Sequence, residues 1–344
     1  MQTGRRSGAA AGIRTLGIGL WCGLAAVAPL AGEGACAPAG STLRLGFYAH
    51  FEPVSYSADP DPASPAFHEH RGYEADLLTA LEAMAGANLT FDRRGIATWD
   101  GIWLLPAGPE YDLVGGGITI LESRTHDAAG QTVVAFTAGH IEFRQSLLVR
   151  AADAQRLTRH EDLTDADRVG VLAGTTGEAR LLKLTGIADV SGILAAGTRV
   201  ETDAGTMVAD GSAEYFITAA GAAPGLEGRR QVRPVAATMP QVVYLADEAA
   251  LIEALANGWI DAVGRGEIGN RAAVRAYAGA FAITALDEQA ETGGFALAAK
   301  DAALADCLNR HIAWLTDNGR IGYREWLTAP PVFLWRARQW PGSE

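Results

Sequence analysis

Residues 42–48 (TLRLGFY) alternate apolar and polar side chains, the period of a half-buried strand. A polar, proline-bearing stretch follows over 55–71. From Tyr73 the period changes. Leu77, Leu78, Leu81 and Met84 fall on one face of a 3.6-residue helix that Gly86 stops. Short strands are predicted over 89–92, 111–115 and 146–150, and a short helix over 99–105. After a polar stretch (151–167) the pattern starts again. A strand spans 168–172, a Gly174-Thr-Thr-Gly turn follows, and a helix runs over 178–184. Further on come helices over 248–257, 270–278 and 302–315, with strands over 261–264 and 295–299. Strands alternating with helices predict parallel sheets covered by helices. The restart near Arg168 predicts two α/β lobes.

The N-terminal segment breaks this pattern. Arg5, Arg6 and Arg14 precede an apolar run over 15–30, and small residues then lead to Ala37-Pro38-Ala39. This is the order of a cleaved export leader over 1–39. The run is short and glycine-rich, and Pro29 interrupts it, which disfavours a retained span. A lipoprotein anchor at Cys36 is disfavoured by Glu33. The chain is therefore expected in the periplasm. With Cys36 leaving in the leader, Cys307 is expected to be alone on its helix as a small buried apolar side chain.

Composition narrows the function. Forty acidic residues against 28 basic ones give a net charge of −12, the wrong sign for a nucleic-acid partner. No C-x-x-C, no clustered histidine set and no G-x-x-x-x-G-K-[ST] loop is present, so no cofactor, metal or nucleotide is expected.

Several segments together carry a resemblance. Gly72-Tyr-Glu-Ala-Asp-Leu-Leu resembles the G-[FY]-x-x-D-L segment of family 3 extracellular solute-binding proteins, the polar-amino-acid class that serves ABC importers. Trp99-Asp-Gly-Ile, and then Tyr111-Asp-Leu-Val through Gly117-Ile-Thr119-Ile to Arg124, resemble that family's W-x-x-[IL] and T-I-x-x-x-R signature. Val169-Gly-Val-Leu-Ala-Gly-Thr175-Thr176-Gly-Glu178 resembles V-G-V-x-x-G-T-T-[GQ]-E. Asp261-Ala-Val and the segment ending Asn318-Gly to Trp326-Leu complete the order. The resemblance runs from about Leu43 to Leu327.

The resemblance implies an α/β, two-lobed periplasmic-binding-protein (Venus flytrap) fold, type II-like, with two crossover hinge strands. Lobe one would hold residues 40–148 and 294–344. Lobe two would hold 149–293, and the strands would cross near 147–150 and 293–296. It implies a monomer that captures a small carboxylate-bearing solute, an amino acid or a derivative, between the lobes and passes it to the membrane subunits of an ABC importer. Arg124 would grip the carboxylate, because a guanidinium offers a planar fork of donors. Thr119 and the Gly116–Gly117 backbone would add polar contacts. Thr175 and Thr176, at the start of a helix, would close on the same anion from lobe two. Thr175 reads equally well as the N-cap of that helix, with Glu178 as its capping partner. Phe51 and Trp99 are ring positions of the ligand wall, or core residues.

Several positions depart from the family. Its amino-acid binders place an Asp for the ammonium where this chain has Gly266, and a second acidic position reads as Tyr48. Glu267 or Glu142 is the expected replacement, and Arg265 could meet a second acid group. A cyclohexadienyl-dehydratase-like enzyme is the alternative, but Gly269 stands where that mechanism needs an acid. Residues 187–244 read as an insertion with a β-hairpin around Asp203-Ala-Gly205. The tail over 330–340, rich in Trp and Phe, is expected to pack onto a lobe.

Overall fold

The alternation of TLRLGFY becomes strand β1 (Leu43–Tyr48) in a computed structural model that describes residues 35–342. The polar loop after it forms a small sheet of β2 (His50–Phe51), β3 (Ser55–Ser57) and β4 (His70–Arg71). Helix α1 (Tyr73–Glu82) then buries Tyr73, Leu77, Leu78 and Leu81 on one stripe. Its N-cap, Gly72, has φ 102°, and a Cβ there would lie 2.6 Å from the Pro53 carbonyl, so glycine is required. Each such leucine contributes about 1.5–3 kcal/mol by burial. The lobe continues with β5 (Phe91–Ile96), β6 (Leu113–Gly115) and β7 (Val134–Phe136). β1 is parallel to both β5 and β6, with Leu45 opposite Leu113.

Lobe two begins with β8 (Ile141–Arg150), β9 (Arg168–Val171) and helix α2 (Thr176–Leu184). It adds β10 (Arg199–Thr202), β11 (Gly205–Val208), β12 (Ile217–Thr218), β13 (Gly221–Ala222), β14 (Arg229–Arg233) and β15 (Gln241–Tyr244). Helix α3 (Glu248–Ala256), β16 (Ala262–Gly266), helix α4 (Glu267–Ala276) and the long β17 (Phe281–Gly293) complete it. Eight strands form one sheet in the order β11-β10-β14-β15-β9-β16-β8-β17. The chain then returns to lobe one as β18 (Ala296–Ala298), inserted between β6 and β7, and ends in helices α5 (Ala302–Leu315), α6 (Tyr323–Thr328) and α7 (Val332–Ala337).

The hinge differs from the expected one. All of β8 belongs to the lobe-two sheet, so the first crossing lies at Thr137–His140, not near 147–150. The two crossings are bonded together there. Thr137 N donates to the Phe295 carbonyl (2.8 Å), Phe295 N to Thr137 Oγ1 (3.0 Å), and His140 N to the Gly293 carbonyl (2.9 Å). β8 already runs through 141–145, where Ile141, Phe143 and Gln145 are buried while Glu142 and Arg144 face out.

The hairpin around residues 203–204 forms, with Thr202 opposite Gly205. The rest of 187–244 is not a loose addition. It supplies β10–β15, and β15 pairs with β9 in parallel. Leu194, Val200, Leu226 and Val232 are buried in the lobe-two core. Strand β14 is held by a buried ion pair, with Arg229 Nε and Nη2 donating to Glu178 at 2.7 and 2.8 Å. Burial alone would lower the Arg229 pKa, but the Glu178 carboxylate outweighs it and leaves the guanidinium raised.

The ends of the chain need two corrections. Cys307 is not alone: it forms a disulfide with Cys36. Cys36 N also donates to the Ala87 carbonyl (2.8 Å), and Ala37 is buried. Most of the expected leader, residues 1–34, lies outside the described residues, but Cys36 and Ala37 are built into lobe one. In the tail, Phe333 is fully buried, Val332 and Trp340 pack on the same core, and Trp335 is exposed. No helix among the described residues is long and apolar enough to cross a membrane.

Candidate functional site

Loops at the facing edges of the two sheets enclose a small cavity between the lobes. Lobe one contributes Tyr48 at the end of β1, Phe51 of β2, Trp99 before a 3-10 turn (Ile102–Ala107), and Gly117 and Thr119 after β6. Lobe two contributes Phe143 and Gln145 of β8, Thr175–Gly177 at the start of α2, Glu248 at the start of α3, and Arg265 and Gly266 at the end of β16. The cavity measures about 50 Å³, room for about three or four waters. Thr119 Oγ1 and Thr176 Oγ1 stand 3.5 Å apart across it, and Trp99 Nε1 donates to the Gly174 carbonyl at 3.1 Å, so the lobes meet.

Seven of the residues offered from sequence as ligand contacts share this cavity: Gly117, Thr119, Thr175, Thr176, Phe51, Trp99 and Arg265. Thr175 is also the N-cap of α2, accepting from Glu178 N (3.1 Å) while donating to the Leu172 carbonyl (2.8 Å). The Glu178 carboxylate turns to Gly174 N instead of closing a capping box. The first-turn N–H groups of α2 have no intrahelical acceptor, and the helix presents its positive end to the cavity.

Arg124 does not line the cavity. It is fully buried, and each of its three nitrogens donates to a backbone carbonyl: Nε to Ala219 (2.9 Å), Nη1 to Thr119 (3.2 Å) and Nη2 to Gly174 (3.0 Å). Ala219 is at the tip of the β12–β13 hairpin. Its guanidinium also lies 4.2 Å over the Trp103 ring. Burial pulls the Arg124 pKa down to about 9, opposed by the fields of Glu291 and Asp100. The group is still a cation at neutral pH.

Glu267 does not reach the cavity either. The strand-to-helix junction turns it along α4, where it pairs with Arg271 one turn on (2.7 Å). Glu142 is exposed on β8. The Gly116 and Gly117 N–H groups, expected to face a ligand, both donate to Glu74, at 2.6 and 2.9 Å. Their φ values of 138° and 71° serve that turn. Glu74 is completely buried and also meets His140 Nε2 at 3.1 Å, which locks the loop to the first crossing.

The sequence did not reveal the acids that the structure places here. Glu248 ion-pairs with Arg265 on the cavity wall. Its position after the N-cap Asp247 read only as a helix start. Glu291, on β17, accepts from Thr119 Oγ1 (2.9 Å) and Gln145 Nε2 (2.9 Å), so the chain supplies its own carboxylate to two polar residues of the cleft. The Tyr48 hydroxyl pKa is pushed up, first by burial and then by Glu248 and Asp247.

Residues 43–329 match the pattern of bacterial extracellular solute-binding proteins, family 3. The chain belongs to that family. Its fold is the two-lobed Venus flytrap of periplasmic amino-acid-binding proteins. Among curated relatives, a probable histidine-binding protein of Neisseria gonorrhoeae is 26% identical over 172 residues, covering 48% of this chain and 58% of that protein. The chain thus spans little more than half the length of that relative. An ancestral arginine-binding protein bound to arginine superposes with a TM-score of 0.54 at 18% identity, covering 88% of this chain and 98% of that one. An ancestral amino acid-binding protein, a precursor of cyclohexadienyl dehydratase, superposes with a TM-score of 0.55 at 19% identity, covering 83% and 94%.

Proposed function

We propose that this family 3 protein is a periplasmic receptor that captures a small amino-acid-like solute between its lobes and delivers it to an ABC importer. The observation that carries this reading is the interlobe cavity. It has an aromatic wall (Phe51, Trp99), hydroxyl and amide groups (Thr119, Thr176, Gln145) and one pair of opposite charges (Arg265, Glu248). Such a set encloses an apolar body and orients polar ends. The arginine- and histidine-binding names among the relatives support the ligand class. Hinge closure would bury the solute as the lobes meet.

A dehydratase in the same cleft is the second reading, prompted by the likeness to the dehydratase precursor. Against it, Gly269 holds no acid, and a Cβ there would sit 3.1 Å from the Arg265 guanidinium. A thermal-shift screen of amino acids, opine-like conjugates, dicarboxylates and prephenate, with mass spectrometry on each hit, separates the two. A stabilising compound recovered unchanged supports the receptor, with micromolar affinity, about −8 kcal/mol, expected. A compound that is consumed replaces the receptor with the enzyme.

A further inference from the structure

We infer that Arg265 and Glu248 of lobe two, not Arg124 of lobe one, read the charged groups of the solute. The solute is then a zwitterion, with its anionic group on Arg265 and its cationic group against Glu248. This inference rests on the receptor reading above.

The lobe-one cation is held away from the cavity. Each nitrogen of Arg124 donates one N–H to a carbonyl, which uses three of its five, and two of those carbonyls, Gly174 and Ala219, come from lobe two. Thr119 and Gln145 serve the carboxylate of Glu291. A solute carboxylate bound there would face a resident negative charge.

The lobe-two side is held but incomplete. Arg265 Nε donates to Asn270 Oδ1 (2.7 Å), and Asn270 is itself fixed by donating to Ser146 Oγ (2.8 Å). Arg265 Nη1 is bonded to Glu248 Oε2, while Nη2 and Glu248 Oε1 bond to no described residue. Both side chains are largely buried, at 11% and 18% exposure, so a free donor and a free acceptor face a sheltered space. Gly266 beside them carries no side chain. A Cβ there would meet only the Phe143 ring, at 3.3 Å. No acid stands at position 266, and Glu248 provides the carboxylate from a different element. A free amino acid matches one unused donor and one unused acceptor on a fixed ion pair.

Calorimetry with the twenty L-amino acids, their amides, their N-acetyl forms and succinate tests this on the wild type and on Arg265→Gln, Arg265→Lys, Glu248→Gln and Arg124→Gln. The wild type is expected to bind at least one free amino acid at least tenfold more tightly than its amide and its N-acetyl form. Arg265→Gln should erase the preference over the amide, Arg265→Lys should restore part of it, and Glu248→Gln should erase the preference over the N-acetyl form. Arg124→Gln should keep both preferences. Loss of the amide preference in Arg124→Gln with its retention in Arg265→Gln overturns the inference and leaves the receptor reading standing. Succinate as the sole ligand does the same. No binding by any compound overturns both. If Arg265→Gln does not fold, the wild-type comparison decides, because equal binding of an amino acid and its amide overturns the inference.

Discussion

Arg124 and Arg265 approach the cleft from opposite lobes, and their surroundings differ in kind. Arg124 lies at the end of a family signature, yet it is sealed under the β12–β13 hairpin, where it meets backbone carbonyls and the Trp99 and Trp103 rings. Arg265 belongs to no signature, yet it lines the cavity with a nitrogen that no described residue engages. A guanidinium binds whichever oxygens the fold brings first. In lobe one those oxygens are peptide groups, two of them from lobe two, so Arg124 fastens the lobes together. Retention of a residue type is weaker evidence for a role than the inventory of its donors.

The largest expected effect tests what covers Arg124. Glu178 anchors β14, and the hairpin that caps Arg124 precedes that strand. Glu178→Ala leaves Arg229 as an unpaired buried charge and should cost about 3–5 kcal/mol in urea unfolding. A loss under about 1 kcal/mol would mean that the pair is not what holds this part of lobe two. Arg124→Met is next. It takes their Arg124 donor from the carbonyls of Ala219 and Thr119, while Gly174 keeps Trp99 Nε1, for a loss of about 1–3 kcal/mol, and the solute-free protein should show a larger radius of gyration in X-ray scattering. An unchanged radius would remove Arg124 as a lobe fastener. Glu291→Gln sharpens the contrast by removing the resident charge while keeping an acceptor for Thr119. Stability should change by about 1 kcal/mol or less, and monocarboxylates that fail to shift the wild-type melting temperature should begin to do so. Continued failure would show that Glu291 does not compete for that seat.

The smallest effect sets the pH baseline for all of these. His70, stacked on Phe47 at 4.0 Å, has its pKa held well below the usual value by burial first and by Arg93 second. A depressed histidine keeps its full contribution above the unfolded pKa of about 6.5 and loses it as pH falls below that value, because only the unfolded chain takes the proton. Urea melts at pH 7.5 and 5.5 should show this decline, and His70→Asn should reduce it. An identical slope in both proteins would assign the decline to other groups.

Much of the fold was legible because it rests on local period. The α1 stripe, the helix over 302–315 and the hairpin at 203–204 follow from spacing alone. The cavity wall was legible where turn chemistry marks it, as at Thr175 and Thr176. What escaped depends on distant partners. Glu248 meets Arg265 across 17 positions, and Glu291 meets Thr119 across 172. No periodicity encodes such pairs. The hinge was placed late because the first strand of lobe two starts before its apolar run does. Glu267 was misplaced because α4 begins at that residue, three positions before the helix predicted from its apolar face.

The disulfide gives the molecule a timetable. Its two sulfurs belong to residues 271 positions apart, with all of lobe two between them. A chain made from its N-terminus presents Cys36 early and Cys307 near the end, so lobe two has all its residues before the bridge has its second sulfur. Lobe one is begun first and finished last, because β18 and α5 must arrive to complete its sheet and its staple. Closure of the staple also needs an oxidising compartment. The bond is therefore a terminal event in maturation, and trapping the Cys36 thiol with an alkylating reagent before it closes would report when the last part of the chain has docked.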